Sequence, residues 1–444
     1  MKLRIVDDLN PEDEAMLQAL YSRSAESVDV HLEKVQQSGS GKFMAQYYVG
    51  YGHKSIADCG TTTMFIEGVS LLAAKAVQDW PLYNGQETST RYIDMSKQVI
   101  VDPFGSDASK AVLDRWMDFY TSKQGAVGEI LRARYPMRDG EKQASYDGAI
   151  KARTFDILRG FLPAGITTQL SWHTNLRQAG DHLAGLIHHP SPEISQLALK
   201  LRTQLGERYP SSGLGLSLAT VSGVDNKDRV ARDVRQDWEW RVASAFTYSA
   251  KTELSSLRLN AMNLRMNARY TELLKTRPRG CVLPHFMTDM GQVHVEFLLD
   301  FGSFRDLQRH RNGVCRMPLL DTSYGFEAWY LEQLGDLRAE AVALIDEQRD
   351  EINRLGDGPD RSVLRQYYTA LGFRVPCNVM YALPALLYVL ELRSGKTVHP
   401  TLRKQVHAMV RAFRHDYPDI ALHVDMDPDD WDVRRGDQTI TAKG

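Results

Sequence analysis

A Ser- and Gly-rich stretch, YPSSGLGLSLATVSGVDNKD at 209–228, lies almost at the midpoint of this 444-residue chain. Such a stretch is a linker signal, and a central linker raises the question of an internal repeat. A distant repeat is present. In each half a His precedes a β-like run, a helical run follows, and a polar, Arg-bearing segment comes next. The first half has GHKSIADCGTTTMFIEGVSLLAAKAVQDWPLYNGQETSTRY and the second LPHFMTDMGQVHVEFLLDFGSFRDLQRHRNGVCRMPLL. Each half then closes on a helical section, NLRQAGDHLAGL in the first and VMYALPALLYVLELR in the second. Pro81 registers on Arg311 and Leu186 on Arg393, with a shorter offset at the second pair, so the second half has lost residues in between. The expected organisation is a first repeat over 1–215, a linker over 216–235 and a second repeat over 236–444.

Apolar residues make up 43% of the chain, enough for a large core. Helical spacing of apolar positions predicts helices within 107–133, 327–355 and 401–415. QVIVDPF (98–104) and, more strongly, QVHVEFLLDF (292–301) read as strands. The 54 basic and 56 acidic residues nearly cancel, so no global basic field favours nucleic acid, and a phosphate site has to be local. No apolar run is long enough to span a membrane, and the start, MKLRIVDDLNPEDEAM, does not read as a secretory signal. Cys59, Cys281, Cys315 and Cys377 form no CxxC pair. Reduced thiols in a cytoplasmic protein, without a metal site, are the expectation.

Several polar groups stand out. Arg309, His310 and Arg311 follow the helical run FGSFRDLQ, and Arg305 lies one turn earlier. Three adjacent basic groups need anionic company or solvent: they read as an anion site, or as a solvated basic end that suits the helix dipole. Glu87, Ser89 and Arg91 in NGQETSTRY suit a phosphate monoester, or form a solvated turn. Arg159 before GFLP reads as a ligand group or a salt-bridged support. Asn175 and Arg177 read as a binding pair or as helix surface. Arg393 ends an apolar helix and must pair or reach water. His53 and His285 occupy matching places, where capping or packing is the ordinary role. His399 lies beside a Pro-containing turn and reads as a surface residue or a ligand contact.

These segments resemble the flavin-dependent thymidylate synthases, with the family's motifs divided between the halves. The RHR triplet is Arg309-His310-Arg311, and the first half has Asp79-Trp80-Pro81 there. The Ser-x-Arg-Tyr segment is Ser89-Thr90-Arg91-Tyr92, where the second half is Leu-rich around Pro318. The first half keeps the Arg-x-x-Leu-Pro turn (Arg159, Leu162, Pro163) and Asn175-Leu176-Arg177. The second half has Ala382 in place of that Asn, and keeps the later Leu-Arg as Leu392-Arg393 where the first has Leu186. The resemblance implies an α+β fold: two tandem copies of a synthase-like domain, each a small antiparallel sheet with long helices, helix-rich overall.

It also implies a reaction: C5-methylation of a pyrimidine nucleotide, dUMP or UMP, with FAD as cofactor and methylenetetrahydrofolate and NADPH as co-substrates. The sites are composite, shared between repeats, and two chains form a homodimer that mimics the family's tetramer. Arg159 and Arg393 take the catalytic role by polarising the base. Glu87, Ser89 and Arg91 join them in holding the nucleotide, and Arg309, His310, Arg311, Asn175, Arg177, His285, His53 and His399 fall to the flavin. The alternatives are a same-fold flavin or folate enzyme with another nucleotide reaction, and a nucleotide-binding protein without turnover. No nucleic-acid or membrane partner is expected.

Overall fold

The computed structural model describes residues 4, 6, 8–24, 26–44, 46, 54–91, 93–212, 256–260, 262, 269–356, 358 and 361–428. The expected linker, 216–235, and the ends of the repeats flanking it lie outside the described residues, as do His53 and Tyr92.

In chain order the main elements begin with α1 (Pro11–Tyr21), α2 (Val28–Ser38), β1 (Thr61–Ser70) and α3 (Leu71–Gln78). Next come α4 (Asp107–Ser122), α5 (Gln124–Arg134), α6 (Gln143–Leu158), β2 (Thr167–Asn175), α7 (Leu176–Leu186) and α8 (Pro192–Arg208). The later part has β3 (Ser256–Asn260), β4 (Gln292–Asp300), α9 (Phe301–Leu307), β5 (Gly313–Arg316), α10 (Arg338–Arg354), β6 (Arg374–Ala382), α11 (Leu383–Arg393) and α12 (Pro400–Asp416). The fold is α+β. Strands β1 and β2 pair, and a second sheet has the order β3-β4-β6-β5 with every neighbour antiparallel. No helix among the described residues is long and apolar enough to cross a membrane.

Local chemistry accounts for these elements. Ser106 and Ser109 form a capping box that starts α4. Val112, Leu113, Trp116, Phe119 and Tyr120 then recur at helical spacing and are buried. In β4, Val293, Val295 and Phe297 alternate inward before Leu298 and Leu299 close both faces, and Phe297 stands opposite Cys377 of β6. The stretch 98–104 is not a strand. Its Val101 N–H bonds Gly165 O at 2.9 Å, Val99 O accepts from Thr167 N–H at 2.9 Å, and Ile100 bridges Ile166. Pro103 then removes the donor that would extend the ladder. Helix signal over 107–133 divides into α4 and α5 at Lys123.

The same element order occurs twice. A single 3-10 turn, Arg159–Phe161, leads to β2 and α7, and another, Gln366–Tyr368, leads to β6 and α11. Helix α8 ends at Tyr209 with φ −127° and ψ 71°, and α12 at Tyr417 with φ −133° and ψ 64°. The two turns pair across a local twofold: Pro163 bridges its counterpart Ala370. Ala164 N–H donates to Thr369 O at 3.0 Å, and Leu371 N–H to Leu162 O at 2.9 Å. Gly165 N–H donates to Tyr367 O and Gly372 N–H to Gly160 O, each at 2.8 Å. A Cβ on Gly165 would sit 2.8 Å from Tyr367 O and from Val101 O, which is why that position is glycine.

By packing, the chain forms two compact units that interleave along the sequence. The first comprises Met1–Val69, Ala73–Glu87 and Thr168–Arg241, and the second Ser70–Leu72, Thr88–Thr167 and Val242–Gly444. The first unit's core includes Ile66, Trp172, Leu176, Leu183 and Ala198. The second is built around Trp116, Phe161, Phe297, Phe304, Tyr368 and Val406, and its turn-to-turn pairing joins the two sequence repeats.

Candidate functional site

The second unit gathers a cluster of arginines from both sequence repeats. Asp300 caps α9: its Oδ2 accepts from Ser303 N–H at 2.9 Å and from the Tyr330 hydroxyl at 2.8 Å. The helix so fixed carries Arg305 to the loop at 88–91. There its Nη2 donates to Thr88 O and its Nη1 to Thr90 Oγ1, each at 3.3 Å. Within the loop, Ser89 Oγ accepts from Arg91 N–H at 3.3 Å. Arg91 forms a two-pronged pair with Asp156 of α6, at 2.6 and 3.1 Å, and its Nη1 donates to Thr397 O at 3.2 Å. Asp156 is 1% exposed, so this is a desolvated pair rather than a surface one.

Arg159, at the end of α6, is buried and donates through Nη2 to Ser303 Oγ at 3.0 Å. Burial opposes its charge, but Tyr330, Asp300 and Asp156 outweigh burial and hold the guanidinium above its ordinary value. Its Nε has no hydrogen-bond partner. At the end of α11, Arg393 Nε donates to His310 Nε2 at 2.7 Å, and Nη2 to Asp306 O at 2.8 Å. That bond makes His310 Nε2 an acceptor, so the ring is neutral with its proton on Nδ1. Burial and then Arg393 push the His310 pKa down to about 3. Burial also lowers Arg393, against the pull of Asp306.

Asp306 is the acidic centre of this group. Burial alone would raise its pKa, but Arg91, Arg159, Arg393 and Arg309 bring it below the usual carboxylate range. Arg309 lies 4.0 Å from it with its own side chain 47% exposed. Arg311 is half-buried.

The remaining predicted residues sit elsewhere or serve other groups. His399 is not a surface residue: it is 0% exposed and is the N-cap of α12. Its Nδ1 accepts from Thr401 N–H at 3.4 Å, and its Nε2 lies 3.2 Å from Asp156 O. Burial, then Arg159 and Arg91, keep it neutral, well below the normal histidine pKa. His285 is exposed at the head of the turn His285–Met290. Glu87, Asn175 and Arg177 belong to the first unit. There Glu87 accepts from Gln78 Nε2 at 2.7 Å, Asn175 caps α7 by accepting from Gln178 N–H at 2.8 Å, and Arg177 pairs with Asp58 at 2.6 Å. In the first unit Trp80, the counterpart of His310, stacks on His182 at 4.6 Å and donates to Gln178 at 2.9 Å.

Sequence reading singled out the arginines and missed the acids that hold them. Asp156 and Asp306 each stand three residues before a chosen arginine, a spacing that places both side chains on one helix face.

Residues 4–211 match the family described as thymidylate synthase complementing protein. A UPF0159 protein of Thermoplasma acidophilum is 25% identical, over 91% of this chain and 93% of its own length. UPF0159 proteins of Chlamydia muridarum and Chlamydia pneumoniae are each 24% identical, over 80% and 81% of this chain and 75% and 76% of their own lengths.

Proposed function

We propose, from the match of residues 4–211 to the thymidylate synthase complementing protein family, that the protein is a flavin-dependent enzyme that methylates C5 of a pyrimidine nucleotide, dUMP or UMP. Methylenetetrahydrofolate is the carbon donor and NADPH the source of electrons. The observation that carries this reading is the interlock of the two repeats: Arg305 of the RHR helix grips the backbone of Thr88 and the hydroxyl of Thr90, within the loop that bears Ser89 and Arg91. The helix that leads into the RHR triplet thus touches the loop that bears Ser89 and Arg91, which supports a site shared between the repeats.

The residues fit an anionic nucleotide and an electron-rich flavin. Arg91 uses three N–H groups on Asp156 and Thr397, and a guanidinium has five. The other two, with Ser89 Oγ, serve a phosphate. Arg159 is buried and its charge is held by its acidic neighbours Asp300 and Asp156, so it would act on a ligand through its field. Arg159 and Arg393 stabilise the negative charge that builds on the pyrimidine oxygens as C5 becomes nucleophilic. Arg309 and Arg311, with His310 as a neutral ring, would hold the flavin. FAD, when bound, supplies the redox chemistry. His399 caps α12 and lies against the Asp156 carbonyl of α6, which supports a positioning role. Two chains assemble as a homodimer.

A second reading, a different flavin or folate reaction on a nucleotide, is favoured by Asp306. Its carboxylate stands among the arginines that a phosphate dianion would use. One assay separates the two. The protein is incubated with dUMP or UMP, methylenetetrahydrofolate and NADPH, and the nucleotide is analysed by mass spectrometry. A methylated product supports the first reading, and flavin oxidation without it supports the second. Absence of both flavin binding and product overturns the enzyme.

A further inference from the structure

Helix α11 carries an outward face that the cluster above does not use. On its counterpart α7 the exposed positions of that face are Asp181 and Gly185. On α11 they are Tyr388, 51% exposed, and Leu392, 46% exposed. One copy therefore has a polar face where the other has a partly apolar one.

Beside this face lies a cavity of about 270 Å³. Val282, Leu283, Leu387, Tyr388 and Leu392 make its apolar walls. Its polar end is Arg277, 6% exposed, which is tied to Glu391, to Cys281 O and to Ala421 O. Those bonds fix the guanidinium but leave its buried Nε without a partner. Arg279 also lines the cavity. Two guanidinium groups and His423 against the one carboxylate of Glu391 leave the lining net positive.

We propose that this cavity binds a planar aromatic ring bearing one acidic group, with the ring against Tyr388 and Leu392 and the acid at the exposed Arg279. The volume suits a bicyclic ring, near the lower end of small-molecule sites. The site is distinct from the arginine cluster yet touches it: Tyr388 meets His310 edge to face, 5.9 Å between ring centres. The inference does not depend on the proposed reaction, because its test reads binding alone.

The test uses the full chain and anilinonaphthalene sulfonate, an aromatic monoanion whose fluorescence rises on binding. Its uncharged parent, anilinonaphthalene, is titrated in parallel. Cys281 lines the same cavity and is exposed, so its alkylation by iodoacetamide, read by peptide mass spectrometry, reports occupancy. The expected result is saturable binding of one sulfonate per chain, slowing of Cys281 alkylation but not of Cys315, and at least ~10-fold weaker binding of the uncharged parent. Val282→Glu, at a rim position 69% exposed, should fold normally and weaken the sulfonate by about 10-fold through like-charge repulsion. Equal binding of the charged and uncharged probes, unprotected Cys281, or undiminished binding by Val282→Glu overturns the proposal.

Discussion

Replacing Asp156 tests whether the Arg91 pair holds the loop at 88–91 and whether it serves more than stability. The carboxylate is 1% exposed and receives two N–H bonds from Arg91, at 2.6 and 3.1 Å. Asp156→Asn keeps the shape and one acceptor but leaves the guanidinium without its countercharge. Removing one partner of a buried pair costs about 3–5 kcal/mol, and the retained acceptor puts Asn at the lower end, about 3 kcal/mol. Arg91→Met strands Asp156 instead and should cost a similar amount. The double variant Arg91→Met, Asp156→Leu exchanges the pair for apolar groups, and such exchanges are often close to neutral. Urea unfolding followed by tryptophan fluorescence measures all three. The double variant should recover most of the lost stability and yet bind no nucleotide in a calorimetric titration. A cost below about 0.5 kcal/mol for Asp156→Asn, typical of exposed surface substitutions, would refute the buried-pair argument. Nucleotide binding by the double variant would refute the role of Arg91.

Asp306→Asn removes the carboxylate that shares the arginines, so inorganic phosphate should bind at least ~5-fold more tightly by calorimetry, from the loss of a competing charge; unchanged affinity would place the phosphate elsewhere. His182 is buried, and its pKa is lowered to about 4 by burial, partly offset by its bond to Val77 O. The unfolded chain therefore binds its proton first. Stability attributable to His182 is present above pH ~6.5 and falls as pH drops toward 4, by about 2–3 kcal/mol in all. His182→Gln should flatten that slope in urea titrations across this range, and an unchanged slope would contradict it. Trp116 is fully buried and donates to Tyr368 O at 2.9 Å, so Trp116→Ala should cost about 3–5 kcal/mol in the same unfolding assay.

The sequence showed different parts of this protein with different clarity. The β4 strand was legible because its alternation, Gln292 to Val295, survives until both faces close over Leu298 and Leu299. The stretch 98–104 misled because its β-branched residues pack beside the turn at 163–166 rather than in a sheet, a tertiary fact that local pattern does not encode. The repeat was readable in the register of Leu186 on Arg393, which the matching turn–strand–helix order of α7 and α11 accompanies. The interleaving of the compact units was not, since it depends on the turn pairing Pro163–Ala370 between residues far apart in sequence. Positive residues were conspicuous, whereas Asp156 and Asp300 looked like ordinary surface acids until burial revealed them, and Asp306 until its arginine neighbours did. His399 shows the same limit: its proline-flanked position is equally that of an exposed histidine and of a buried helix cap.

The most direct test is the visible absorption spectrum of the purified protein, with the flavin released and counted per chain, for the wild type and for Arg309→Ala and Arg91→Ala. A bound flavin at no more than two per two chains, lost in Arg309→Ala, together with loss of nucleotide binding in Arg91→Ala, is the predicted result. A colourless protein that takes up no added FAD, four flavins per two chains, or wild-type binding in both variants would contradict it.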